Sequence, residues 1–233
     1  MNVAPIEDSR DLRADVIAAA RAMNIAGINV NKSGNVSARC VRGSIAGLVI
    51  TPSGLDYDAV EPDDLVFMRL ADAQCSGRRL PSSEWRFHRD LFQSRPELGA
   101  VVHTHSPYAT ALAVHGRGIP AFHYMVAAAG GHDIRCAPYA TFGTQQLSDY
   151  ALAALTGRRA CLLAHHGVIA CGATPADALA LAVEVEHLAR TYIAARILGE
   201  PPHLSAAQMQ QVIEQFVVYG QNRPFKTGRS GVS

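Results

Sequence analysis

The sequence has little lysine, little tryptophan and no excess of either charge. Its 233 residues include two lysines, Lys32 and Lys226, and one tryptophan. With 21 basic and 20 acidic residues the formal net charge is +1. The charge therefore gives no reason to expect a nucleic acid or an anionic membrane as a partner. Neither lysine lies in an apolar segment, the setting that activates a catalytic amine, which disfavours Schiff-base chemistry.

Other familiar signals are missing too. No uninterrupted apolar run is long enough to predict a membrane span. The N-terminal segment lacks a basic stretch followed by an apolar core, so we expect no secretory signal and a cytoplasmic location. The five cysteines show no C-x-x-C spacing, which favours reduced, mostly buried thiols over a disulfide framework. No G-x-x-x-x-G-K-[ST] motif is present, and this argues against a nucleotide-binding P-loop.

The apolar residues, 48% of the chain, are sufficient for one sizeable globular domain. Their periodicity predicts helices over 8–27, 145–155, 174–198 and 205–219, and short strands over 35–40, 48–51, 64–70, 98–104, 160–164 and 168–171. Further helices are expected after an N-cap at Ser82-Ser83 and from Pro107 onward, and Thr174-Pro175 is expected to open the long one. No element is assigned over 120–143.

Many of these strands are joined by short turns rather than by helices. We therefore expect an α/β fold with a single domain, in which a central mixed, largely antiparallel sheet is flanked by helices on both faces. Residues 1–220 would form this domain, and residues 221–233 would form a flexible tail.

Two histidines at the end of an apolar strand suggest a metal site. Residues i and i+2 of a strand point to the same side, so His103 and His105 converge as a chelate requires. A pair of polar histidines at a strand end is an equal alternative. A catalytic zinc commonly takes three protein ligands, and one histidine of His165-His166 is the candidate for the third. Glu84 is the candidate carboxylate, as a ligand, a base or both.

The remaining histidines are weaker candidates. Glu84 and His88 lie one helical turn apart, and we interpret them as a surface or capping pair rather than a chelate. The others have no partner at ligand spacing and are expected to be structural or exposed: His115, His123, His132, His187 and His203.

Three turns rich in glycine and serine lie at 33–35, 51–54 and 81–83. Such turns offer backbone N–H groups, hydroxyls and a helix N-terminus, which together can bind a phosphate without a basic patch. Each is also an ordinary turn when taken alone, and sequence spacing does not show whether the three converge.

Longer motifs carry a family resemblance. They are G-N-V-S-A-R at 34–39, T-P-S-G at 51–54, P-S-S-E-W-R-F-H at 81–88, A-V-V-H-T-H at 100–105, I-P-A-F-H-Y-M-V-A-A-A-G-G at 119–131, C-A-P-Y-A-T-F-G-T at 136–144, H-H-G-V-I-A-C at 165–171 and Tyr219-Gly220. Through them nearly the whole chain resembles the class II aldolase/adducin superfamily, and within it most closely the fuculose-1-phosphate aldolases.

The resemblance implies a role for particular residues. It makes His103, His105 and His166 zinc ligands, and Glu84 the acid/base carboxylate that also ligates zinc when substrate is absent. The phosphate would be held by Asn35, Ser53, Gly54, Ser82 and Ser83. Tyr124 and Tyr219 match active-site tyrosines, with Tyr219 reaching the site of a neighbouring subunit. The stretch Asn31–Ser33 and the spacing before Tyr219 depart from the family pattern.

The implied activity is reversible cleavage of a ketose 1-phosphate to dihydroxyacetone phosphate and an aldehyde. The substrate would be of the L-fuculose, 5-deoxypentulose or 5-methylthioribulose 1-phosphate type, with the aldehyde half left open. One Zn²⁺ per subunit is expected, or another divalent transition metal, in a homotetramer with active sites at subunit interfaces. The alternatives are a pentulose 5-phosphate 4-epimerase, in which Asp typically replaces Glu84, a sugar-acid phosphate decarboxylase, and a non-catalytic adducin-like module.

Overall fold

The computed structural model describes residues 6–216, in which helices alternate with short strands. The strands are β1 (Asn35–Arg42), β2 (Ile45–Ile50), β3 (Val66–Arg69), β4 (Cys75–Ser76), β5 (Ala100–Thr104), β6 (Arg135–Ala137), β7 (Ala160–Leu163) and β8 (Gly167–Gly172). The helices are α1 (Arg10–Ile25), α2 (Trp85–Ser94), α3 (Pro107–Val114), α4 (Gln145–Ala154), α5 (Pro175–Arg196) and α6 (Ala206–Phe216). Two 3-10 turns cover Pro62–Asp64 and Tyr124–Ala129.

The strands form a single sheet in the order β4-β3-β2-β1-β5-β8-β7-β6. Within residues 6–216 the β6–β7 pair is the parallel one, and every other neighbouring pair is antiparallel. The predicted mixed, largely antiparallel sheet is therefore confirmed. Part of this pattern follows from connections that return the chain beside the strand it has just left, as in the pairs β1–β2, β2–β3, β3–β4 and β7–β8.

Both faces of the sheet are covered, as predicted. Successive strand residues point to opposite faces, so on β5 Ala100 and Val102 pack against α1, α3 and α5, whereas Val101 packs against α2 and α4. His103 has the same parity as Val101. Its ring accordingly contacts α2, where it meets the edge of Phe87 at a centroid distance of 5.5 Å.

Side-chain capping determines where α5 begins, but not where α2 begins. Thr174 caps α5 by accepting from the Asp177 N–H, with Pro175 at the first helical position, as predicted. The N-cap expected at Ser82-Ser83 was wrong. Ser82 instead makes a turn ahead of α2, since its hydroxyl accepts from the Glu84 N–H at 3.3 Å. Glu84 occupies the cap position without capping the backbone.

The segment 120–143, where periodicity predicted nothing, contains the 3-10 turn Tyr124–Ala129 and β6. Strand β6 has three residues, and β4, which was also missed, has two. Such short elements are too brief to show a period. No helix within residues 6–216 combines the length and the apolar character that crossing a bilayer requires.

Candidate metal centre and active site

The end of β5 supplies two of the three histidines in the candidate site. His103 is fully buried, and its Nε2 atom lies 3.0 Å from Nε2 of His105. The other nitrogen of His103, Nδ1, lies 2.9 Å from the backbone oxygen of Val168 on β8. A carbonyl oxygen only accepts, so Nδ1 carries the proton and Nε2 keeps a free lone pair. That tautomer is the one a metal ligand needs.

The third histidine comes from the tight turn between β7 and β8. His165 adopts a left-handed backbone conformation with φ 55°, which reverses the chain so that His166 faces the β5 histidines. The centroid of the His166 ring lies 4.9 Å from that of His103 and 5.1 Å from that of His105. A Cβ atom at Gly167 would overlap the carbonyl oxygen of Thr104, so glycine lets the turn approach β5 closely.

Glu84, immediately before α2, brings a carboxylate to the same point. It is 5% exposed, with Oε2 3.1 Å from His103 Nε2 and Oε1 3.2 Å from His166 Nε2. Burial favours its neutral form, but the two histidines outweigh this and hold the pKa of Glu84 well below its usual range. Burial, with His103 and His166, lowers the pKa of His105 to about 3. Despite its own burial, the pKa of His103 is raised by Glu84.

These four side chains fit a divalent metal. Their ligand atoms all lie within 4.8 Å of one another. Oxygen Oε1 of Glu84 is buried and makes no well-aligned hydrogen bond within residues 6–216, although it lies close to the His166 ring. Three imidazole nitrogens with one carboxylate oxygen are a donor set typical of Zn²⁺ and of related transition metals. The cluster therefore satisfies ligand type, count and proximity.

A cavity of about 430 Å³ opens onto this cluster. Its walls are Lys32, Ser33, Ser83, Glu84, His105, Tyr139, Ala140, Phe142, His165 and His166. Ser33 and Ser83 contribute hydroxyls to the lining, and Lys32 contributes a cation. Tyr139 and Phe142, which are 60% and 63% exposed, add two aromatic rings to the cavity lining, and we call this pair the aromatic wall.

The three serine- and glycine-rich turns meet at this end of the sheet. Pro52 and Pro81 form an isolated antiparallel bridge, in which the Ser53 N–H donates to Leu80 and the Ser82 N–H donates to Thr51, both at 3.1 Å. The turn 51–54 thus lies against the turn 81–83. Ser33 and Ser83 bring the turns 33–35 and 81–83 to the cavity, whereas the turn 51–54 lies behind the turn 81–83 and supplies no lining residue.

The predicted phosphate-binding residues differ in their accessibility. Ser83 lines the cavity, Ser82 is 6% exposed, and Ser53 and Gly54 lie on the surface. Asn35 is buried, and its amide already contacts two neighbours, His88 and Glu84. Since an amide nitrogen carries two protons, one N–H of Asn35 is not used by these two contacts.

Tyr124, one of the two predicted tyrosines, is not among the residues that line this cavity. Tyr124 begins a 3-10 turn, is 50% exposed and lies with its ring centroid 4.8 Å from that of His123. Tyr219 lies outside the described residues.

Interpreting His88 as a surface or capping residue was wrong. Its ring is completely buried and stacks on Phe87 at 4.6 Å. Nδ1 lies 2.7 Å from Ser37 Oγ, and Nε2 lies 2.5 Å from Asn35 Oδ1. The signal was present in the sequence, because His88 lies three and four residues before Leu91 and Phe92, on the face of α2 that packs against the sheet.

A buried cluster of three histidines and a glutamate, open to a cleft with neutral hydrogen-bond donors, defines the class of protein as a metal-dependent enzyme. The chain belongs to the class II aldolase and adducin family: the model described as Class II Aldolase and Adducin N-terminal domain matches residues 14–193. Within that family the site and the relatives below make it an aldolase.

The relatives are close over most of their length. The chain is 53% identical over 211 residues to a 5-methylthioribulose-1-phosphate/5-deoxyribulose-1-phosphate aldolase of Rhodospirillum rubrum, covering 91% of this chain and 93% of the relative. It is 47% identical over 195 residues to the L-fuculose phosphate aldolase of Escherichia coli, covering 83% and 88%. A solved L-fuculose 1-phosphate aldolase superposes with a TM-score of 0.85 at 37% identity, covering 90% and 97%.

Proposed function

We propose that this aldolase uses Zn²⁺ to cleave a ketose 1-phosphate reversibly to dihydroxyacetone phosphate and an aldehyde. The observation that carries this proposal is the position of Glu84. Its carboxylate lies 3.1 Å from His103 Nε2 and also adjoins the cavity. From that position it can alternate between binding the metal and moving a proton on a substrate carbon.

A bound zinc ion supplies Lewis-acid stabilisation of the negative charge that develops when the carbon–carbon bond breaks. In cleavage the hydroxyl that becomes the aldehyde oxygen gives up its proton, Glu84 takes up a proton in exchange, and the carbanionic carbon of dihydroxyacetone phosphate receives that proton from Glu84. In synthesis Glu84 removes the proton from this carbon, and the aldehyde oxygen regains one. The low pKa of Glu84, set by His103 and His166, keeps the group ionised as a ligand in the resting protein. Release from the cluster on substrate binding raises its basicity and prepares it for proton transfer.

Phosphate recognition by neutral donors accounts for the turns around the cavity. Ser83 and Ser33 contribute hydroxyls to its lining, and Asn35 has one N–H that its contacts with His88 and Glu84 do not use. Ser53 and Ser82 add their hydroxyls and Gly54 its backbone N–H, whereas the N–H groups of Ser53 and Ser82 hold the two turns together. Lys32 is the cavity's cationic side chain among the described residues, and we propose that it contributes charge at the entrance.

The aromatic wall bears on the aldehyde half of the substrate. Tyr139 and Phe142 present apolar rings to the cavity, which favour a carbon chain ending in a methyl or methylthio group over one ending in a hydroxyl. The relatives named for 5-methylthioribulose, 5-deoxyribulose and L-fuculose 1-phosphates all act on chains with such an end. We therefore infer a substrate of this type.

A panel of four ketose 1-phosphates tests the assignment. Turnover of 5-methylthioribulose, 5-deoxyribulose, L-fuculose and ribulose 1-phosphates is measured as dihydroxyacetone phosphate release and scored by kcat/KM. The three with apolar ends should exceed ribulose 1-phosphate by about tenfold or more, the worth of a matched apolar contact. A 4-epimer without dihydroxyacetone phosphate would indicate the epimerase, and zinc binding without turnover would indicate a binding module.

We also propose a cytoplasmic homotetramer whose active sites lie between subunits. Tyr124, half exposed and outside the walls of its own chain's cavity, is available to a neighbouring copy. Tyr219 would act in the same way from the C-terminal segment. Light scattering of the purified protein measures the subunit number directly.

A further inference from the structure

A line of hydrogen-bonded, buried polar side chains runs from Ser37 on β1 to Glu84 in the cluster of candidate metal ligands. It begins at Ser37, whose hydroxyl is 2.7 Å from His88 Nδ1, and continues from His88 Nε2 to Asn35 Oδ1 at 2.5 Å. It ends where Asn35 Nδ2 donates to Glu84 Oε2 at 3.1 Å. All four residues are at most 5% exposed. Ser37 and Asn35 are two residues apart on β1, so both side chains point to α2.

The chemistry of these groups gives the line one direction. The ionised carboxylate of Glu84 only accepts, so Asn35 must turn its NH₂ group toward it and its carbonyl oxygen toward His88. That oxygen also only accepts, so His88 Nε2 carries a proton. Complete burial lowers the pKa of His88 to about 3, so the ring is neutral and Nδ1 accepts from the Ser37 hydroxyl.

We propose that His88 is a positioning residue, which fixes the amide of Asn35 so that its N–H holds the Glu84 carboxylate between the metal ligands and the substrate. The hydrogen bonds of His88 go to Ser37 and Asn35 rather than to the cluster, and His88 does not line the cavity. Without its Nε2–H the Asn35 carbonyl would lose its partner, and the amide could rotate and present oxygen to the carboxylate. The effect on turnover rests on the proposed function of Glu84, whereas the effect on the metal cluster does not.

Two substitutions of similar size and polarity separate positioning from packing. In His88→Gln the side-chain amide nitrogen can occupy the place of Nε2 and still donate to Asn35. In His88→Asn the shorter side chain reaches only the place of Nδ1, so it can bond to Ser37 but not to Asn35. Both variants remove the ring that stacks on Phe87, so a packing role predicts the same loss in each.

Three measurements on the full-length protein test the proposal. Zinc affinity is measured by competition with a chelator, and the kcat and KM for ketose 1-phosphate cleavage are measured on the zinc-loaded enzymes. Thermal unfolding shows whether each variant folds. His88→Asn should weaken zinc binding and lower kcat by about 10–100-fold, the usual cost of losing a group that orients a metal ligand. His88→Gln should lose less than about threefold in each.

Nitrogen-15 NMR of the His88 ring in the wild-type protein provides a test that does not depend on folding of a variant. The expected signature is a proton on Nε2 and a bare Nδ1 at neutral pH. A proton on Nδ1, or equal losses of zinc affinity in the two variants, would overturn the proposal. If zinc affinity follows the expected pattern but no protein releases dihydroxyacetone phosphate, the positioning role stands and the proposed function fails.

Discussion

Replacing His88 by glutamine should make the free energy of unfolding of the metal-free protein less dependent on pH in the acid range. The pKa of His88 is lowered to about 3 by burial, compared with about 6.5 for an exposed histidine. Between these values the unfolded chain binds a proton that the folded chain does not. His88 therefore does not change the free energy of unfolding above a pH of about 6.5, and it lowers this free energy as the pH falls toward the folded-state pKa.

The size of the effect follows from the proton linkage. Each pH unit below the unfolded-state pKa costs the folded protein about 1.4 kcal/mol for this one group. At a pH of about 4.5 the wild-type protein should thus have lost about 3 kcal/mol through His88 alone. His88→Gln has no such group, so its stability should fall less steeply over the same range, whatever its stability at neutral pH.

Urea unfolding of the metal-free proteins at several pH values between about 4.5 and 7.5 measures this difference. The gap between the wild-type and His88→Gln free energies of unfolding should shrink by about 3 kcal/mol toward the acid end. His187→Gln, on the exposed side of α5, is the matched control and should run parallel to the wild type. If the free energy of unfolding of His88→Gln also changed with pH in parallel with that of the wild type, His88 would not be a neutral buried group. The hydrogen-bond directions proposed from Ser37 to Glu84 would then be wrong.

Three further outcomes are expected. Metal analysis should find that His166→Ala loses the ion while His165→Ala keeps it; full occupancy in His166→Ala would remove that residue from the site. Ser82→Ala with Ser83→Ala should raise KM at least about tenfold for a phosphorylated ketose but little for the free sugar, and equal losses would mean that the serines serve the fold. If the proposed assembly is right, mixed, reassembled oligomers of inactive His166→Ala and Tyr219→Phe should regain activity; no recovery would place Tyr219 in its own subunit's site.

The fold was largely predictable because its elements are long enough to show a period. The apolar strand before His103 and the Thr174-Pro175 helix start were both predicted from local rules, and the structure confirms them. Elements of two or three residues, such as β4 and β6, were missed because they carry no period and depend on pairing with distant strands.

The candidate site was predictable where one strand determines the geometry. Alternation along β5 directs His103 and His105 to the same side. His166 could not be singled out over His165 from spacing alone, because the choice depends on a left-handed turn at His165. His88 was misjudged because its role depends on Ser37 and Asn35, which lie 51 and 53 residues earlier in the chain. Only the packing of α2 on β1 brings these residues into contact with His88.

Solvent deuterium exchange into dihydroxyacetone phosphate by Glu84→Gln tests the central claim most directly, because it isolates the proton step from aldehyde binding. Glutamine keeps the shape and one oxygen of the side chain but removes the base. The variant should still bind one zinc ion per subunit through His103, His105 and His166, while exchange falls by roughly 10²–10⁴-fold, the usual worth of a positioned base. Exchange at the wild-type rate in the zinc-loaded variant would contradict the assignment of Glu84 as the group that moves the proton.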